Sequence, residues 1–187
     1  DIANSGTMVN NGTTRFDGTS GPQTFAGVTS FHHMVLDNSN SLVQSADIAV
    51  SGDITITTGN WTTGNFDIAL SGDWTNNSTF TAGIGEVTFE GAAAQTVSQT
   101  GSGNFYILNV DKSANDVALN TGIAVSHTLR LIAGPMNLNT HVLTVLRSDT
   151  TAIVRTDGYV LSEQIDHSSR IDWIIGTAPG RHEFPFG

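Results

Sequence analysis

Apolar residues recur along this chain in short alternating runs. Ile48, Val50, Ile54 and Ile56 stand at even spacing, with Ala49, Ser51, Asp53, Thr55 and Thr57 among them. That two-residue period is the signature of a strand with one buried face. Gly59-Asn60 interrupts it, and Phe66, Ile68 and Leu70 resume it before Ser71-Gly72. Later runs are Val87 with Phe89, Phe105 to Val110, Ile123 with Val125, Leu129 with Leu131, and Val142 to Leu146. Strands of roughly five residues, punctuated by Gly, Asn, Asp and Pro, predict an all-β fold. No segment carries apolar residues at helical spacing over three turns.

The runs form a longer repeat. Arg15-Phe16-Asp17-Gly18, Gln23-Thr24-Phe25 and Phe31 to Asp37 return as Thr88-Phe89-Glu90-Gly91, Gln95-Thr96-Val97 and Phe105 to Asp111. Ile48-Ala49-Val50-Ser51 returns as Ile123-Ala124-Val125-Ser126, and the offset drifts from 72 to 75 residues along the chain. Two tandem units of about 73 residues are predicted, 1–72 and 73–147, with single-residue insertions in the turns. One unit cannot bury its apolar face alone, so stacking is expected, with Phe16 over Phe89 and Phe31 over Phe105. Tight strands, Asn- and Gly-rich turns and no crossover helix predict a parallel β-helix, or β-solenoid. Each unit would hold about three to four rungs of roughly 18–25 residues. A β-sandwich or propeller is the competing architecture. From Ser148 the repeat fades, so 148–187 is expected to be a divergent cap or the start of a following β domain.

Charge narrows the partners. The 187 residues carry a net charge of −10, and Lys112 is the sole lysine. Nucleic acid and anionic membrane surfaces are disfavoured as partners. No apolar run is long enough to span a bilayer, and the absence of cysteine excludes disulfides and thiolate metal sites. With 25 Thr and 20 Gly the composition suits strands and turns. The chain opens on Asp1 and closes on Phe184-Pro185-Phe186-Gly187, which reads as a processed chain or a piece of something longer.

The order Thr88-Phe89-x-Gly91, Gln95-Thr96-Val97, Phe105-Tyr106-x-Leu108-x-Val110, Ile123-x-Val125-Ser126 and Leu138-Asn139-Thr140-His141-x-Leu143-Thr144-Val145 resembles the tandem repeats of large, adhesin-like secreted surface proteins of the Bacteroidota type. The tail from Gly158-Tyr159-Val160 to Phe186-Gly187 resembles the segment that follows such repeats, ahead of a type IX sorting signal. The resemblance covers nearly the whole chain. It implies a non-enzymatic structural or adhesive module at the cell surface or outside the cell, meeting a glycan or another surface ligand. It brings no catalytic signature. Open solenoid ends also suggest self-association into a fibre.

Candidate chemistry is sparse. His32-His33 is the one adjacent histidine pair, and neighbours on a strand face opposite ways, so the two are not expected to share a metal. His127, His141, His167 and His182 lack ligand spacing. Polysaccharide-cutting β-helix enzymes cluster carboxylates. Here the acids outside the repeat, Asp47, Asp53, Asp67 and Asp116, form no such motif, although Asp47 and Asp53 could approach each other across a rung. No catalytic residue and no resident metal are assigned, with calcium between turns as the weak exception. Asp149-Thr150-Thr151 resembles an O-glycosylation acceptor. Trp61 and Trp74 are the candidate carbohydrate contacts, since indole faces stack on sugar rings.

Overall fold

The computed structural model describes residues 2–3, 11–27, 29–162, 168–177 and 179–187. Asp1 and His167 therefore lie outside the described residues. Every described element is a strand, and every pairing between strands is parallel. The chain coils into a β-solenoid of about 7 turns.

The walls are three ladders. The first wall stacks eight strands, from Thr13–Phe16, His33–Asp37, Ile54–Thr58 and Trp74–Asn76 up through Gln95–Gln99, Val117–Leu119 and Pro135–Asn137 to Tyr159–Leu161. The second has five, ending in Gln23–Ala26, Leu42–Val43, Asn60–Thr62 and Thr79–Thr81. The third begins at Ser30–Phe31, Ile48–Val50, Ile68–Leu70 and Glu86–Gly91 and continues into the long strands Phe105–Lys112 and Ile123–Ala133. Above these it divides. Ile123–Val125 pairs with the strand Val142–Val145, and Leu129–Leu131 pairs with Ile153–Arg155.

The alternating pattern becomes a continuous core. Inward columns such as Phe31, Val50, Leu70, Phe89, Val110 and Leu131 stack through the pairings, and all of these are buried. Each such side chain contributes roughly 1.5–3 kcal/mol by burial. Residues after Ser148 extend the same ladders, with Tyr159–Leu161 on the first wall and Arg170–Trp173 on the third.

The physical repeat is the single turn. It takes 20 residues low in the stack (Met34↔Ile54↔Trp74) and 19 to 24 higher up (Val117↔Met136↔Val160). The sequence carries this period openly: Asp47-Ile48-Ala49-Val50-Ser51-Gly52-Asp53 recurs as Asp67-Ile68-Ala69-Leu70-Ser71-Gly72-Asp73. The offset of about 73 residues is not a whole number of such turns, so the long blocks do not superpose. Phe16 lies on the first wall and Phe89 on the third; Phe31 and Phe105 share a wall but occupy different columns.

Corners need glycine where successive turns touch. Gly83 has φ +57, and a Cβ there would lie 1.6 Å from the Gly64 carbonyl oxygen. Gly83→Ala is therefore expected to destabilise by more than 1 kcal/mol, since it adds backbone strain to a clash that only backbone movement relieves. Urea titration monitored by circular dichroism measures it, and an unchanged midpoint would contradict this packing.

Candidate functional site

The acids suspected of chemistry are spent on the architecture. Where a turn enters the first wall, a side chain from the turn below accepts from a backbone N–H at or beside the start of the strand. Asp53 N–H donates to His33 Nδ1 at 2.8 Å, Asp73 N–H to Asp53 Oδ1 at 2.8 Å, and Thr96 N–H to Asp73 Oδ1 at 2.7 Å. A second column guards the third wall, with Asp67 N–H donating to Asp47 Oδ1 at 2.9 Å and Glu86 N–H to Asp67 Oδ1 at 2.8 Å. Asp47 and Asp53 thus belong to separate columns and do not form a pair. Asp116 accepts from Asn137 Nδ2 at 3.1 Å, and Asp149 closes its own loop by accepting from Thr151 N–H at 2.8 Å. Carboxylates that accept backbone N–H groups make charge-assisted bonds, which are stronger than neutral ones.

The histidine pair behaves differently from the expectation. His32 sits in the bend between the strands Ser30–Phe31 and His33–Asp37, not in a strand, so the strict alternation of faces does not apply to it. The two rings lie side by side, with centroids 4.2 Å apart. His32 Nδ1 meets Ser51 Oγ at 2.9 Å, and accepting from Asp53 N–H puts the His33 proton on Nε2. Among the described residues no group of three or more His, Asp or Glu side chains is placed to hold a metal ion.

On the third wall Glu86 joins three turns. Its Oε2 accepts from Asn109 Nδ2 at 2.8 Å, and its Oε1 accepts from Arg130 Nη1 at 2.5 Å. Partial burial pushes the Glu86 carboxyl up, but the bonds from Asn109 and Arg130 and the Arg130 charge together outweigh it and hold the group below its usual range. A carboxylate depressed in the folded state adds stability above its unfolded pKa and loses it as pH falls through the folded one. Arg130→Ala is accordingly expected to lower the melting temperature at neutral pH. The gap to the parent should close as the pH drops below about 4. A gap of constant size across that titration would show the ion pair to be irrelevant.

Trp61 and Trp74, the expected sugar platforms, are both core residues. They are 1% and 0% exposed and stack on each other with centroids 6.3 Å apart. Phe80 and Phe105 close the cluster, and Trp74 Nε1 donates to Gln99 Oε1 at 3.0 Å. Their spacing places both indoles on the inward side of their strands, so no ring face reaches the surface. Trp173 is likewise buried, donating from Nε1 to the Arg147 carbonyl at 2.8 Å.

What the wall offers instead is a recess in its fifth turn. The second wall ends at the isolated pairing of Thr79 with Ser102. Gly103, the residue after Ser102, is exposed at that corner, and a Cβ on it would lie 2.0 Å from the Phe80 carbonyl oxygen. The backbone turns there with φ +117, a conformation that suits glycine. A hollow of about 290 Å³ at this corner is lined by Gln99, Gly101, Gly103, Asn104, Gly122 and Ala124, with Ile123, Val142 and Thr144 on its upper side. All nine lining residues are uncharged. Gln99 braces the floor, donating from Nε2 to the Gly103 carbonyl at 2.7 Å. The local sequence Gly101-Ser102-Gly103 lacks the lysine and following helix of a phosphate loop.

Comparison with protein-family models, with curated proteins and with solved structures finds no match to this chain.

Proposed function

We propose that this chain is a rigid β-solenoid segment of an extracellular or cell-surface protein, one that projects and adheres and does not catalyse. The observation that carries this reading is the commitment of Asp47, Asp53, Asp67 and Asp73 to turn-to-turn hydrogen bonds. Acid–base catalysis on a polysaccharide needs carboxyls free to move protons. Acids locked as acceptors for backbone N–H groups serve stiffness. The resemblance to secreted repeat proteins supports the location, and the acidic net charge favours solubility.

A carbohydrate-binding role is the second reading, and the recess around Gly103 favours it. An uncharged hollow with carboxamides and exposed glycine backbone suits a neutral, hydroxyl-rich unit. Solution scattering should report an elongated particle. A panel of neutral and acidic glycans should yield bound complexes without released products. Release of oligosaccharides would overturn the non-enzymatic reading. Chelation of calcium is expected to leave the melting temperature unchanged. End-to-end fibres through the open strand edges are a further expectation, and electron micrographs of concentrated protein decide it.

A further inference from the structure

The outer face of the first wall carries another hollow, low in the stack. Met34 and Ile54 are buried in the core, so their strand neighbours His33, Val35 and Thr55 face outward. Pairing sets Thr13 beside His33 and Val35 beside Thr55. These residues, with Met34 and Asp53, line a hollow of about 300 Å³. Two of them have fixed hydrogen-bonding roles. His33 Nδ1 accepts from Asp53 N–H at 2.8 Å, so Nε2 carries the proton and is the ring's remaining donor. The ring is held in place from two sides. A Cβ on Gly52 would lie 2.5 Å from His33 Cε1, and the His32 ring stands against it with centroids 4.2 Å apart. Asp53 Oδ1 is taken by Asp73 N–H at 2.8 Å. Its Oδ2 lies on the histidine side, 3.4 Å from His33 Nδ1, and acts only as an acceptor.

We propose that this hollow binds one neutral sugar unit of a glycan. A donor and an acceptor held side by side complement two neighbouring ring hydroxyls. His33 Nε2–H donates to one hydroxyl, and Asp53 Oδ2 accepts from the next in a charge-assisted bond. The Thr13 and Thr55 hydroxyls and the Val35 methyl groups supply further polar and apolar contact. The Asp53 carboxylate, on a chain of net charge −10, repels uronic acids and other anionic sugars. No proton moves, so the role is compatible with the duty of Asp53 to the next turn. The proposal rests on the carbohydrate-binding reading but uses a different wall and different residues from the recess around Gly103.

The test is a titration of the full chain at neutral pH with the methyl glycosides of glucose, galactose and mannose, and with sodium glucuronate. Nuclear magnetic resonance follows two signals, the Gly103 amide and the His33 ring, the latter identified by its loss in His33→Gln. The expected result is a saturable shift of the His33 signal with at least one methyl glycoside and none with glucuronate. Asp53→Asn keeps an acceptor for Asp73 N–H but puts an amide donor in place of Oδ2. Its affinity should fall by about tenfold or more while its melting temperature hardly moves. A shift at Gly103 alone would overturn this site and leave the carbohydrate-binding reading standing. Silence at both signals would overturn both. Undiminished affinity in Asp53→Asn, or saturation by glucuronate, would remove Asp53 from the contact and overturn the site as drawn.

Discussion

Phe105→Asp is expected to abolish cooperative folding of the solenoid. Phe105 is 0% exposed and sits where three aromatic neighbours meet, its ring centroid 5.3 Å from Trp74, 6.0 Å from Phe80 and 6.3 Å from Phe89. Removing a buried phenylalanine side chain costs about 3–5 kcal/mol. Placing a carboxylate there adds a desolvation term that no nearby cation offsets. The sum is comparable to the whole stability of an ordinary domain, about 5–15 kcal/mol. A solenoid has little recourse, because each turn is templated by the one beneath it. The informative comparator is Asp53→Asn. Asp53 is exposed, and an asparagine Oδ1 can still accept from Asp73 N–H, so its melting temperature should barely move. Comparable losses in the two variants would show that Phe105 does not point inward.

Trp74→Ala is the second large effect, expected at about 3–5 kcal/mol. For a chain of this size that is a fall in melting temperature of roughly 6–20 °C. The substitution opens a cavity beside Trp61 and Phe80. It also removes the donor to Gln99 Oε1, and Gln99 is the residue that braces Gly103 at the recess. Gln99 keeps its own bond to the Gly103 carbonyl, so the surface hollow should persist in the folded variant. Any glycan binding is expected to fall only in proportion to the unfolded fraction, in line with the buried position of the indole. Weakened binding by a fully folded Trp74→Ala protein, with its melting temperature unaltered, would reinstate the tryptophan as a direct contact.

The fold class was readable from the chain because a half-buried strand writes its period into the order of residues. Ile48, Val50, Ile54 and Ile56 all face the core as their alternation requires. The turn length was also legible, in the paired Asp-Ile-Ala-x-Ser-Gly-Asp segments, whereas the longer correspondence of Phe16 with Phe89 has no counterpart in the stacking. The long repeat reflects similar strand-and-turn vocabulary. It does not say which wall each copy joins, because that depends on accumulated turn lengths. The tryptophans show the same limit. Trp61 stands beside Thr and Gly in a turn-like context, yet its place within the strand Asn60–Thr62 sends the ring inward.

By itself, the order of residues determined that this chain forms short strands with one apolar face, that such strands must stack to cover that face, and that the surface is acidic. These follow from local geometry and composition, which need no knowledge of neighbours. Only the tertiary structure decided that Asp53 serves the backbone of the next turn, that His32 and His33 lie side by side, that Gly103 lines a recess with Gly122 and Ile123, and that Lys112 is sealed against Gln95. Each depends on which residue lies one turn above or below, and insertions of a few residues in the corners set that register.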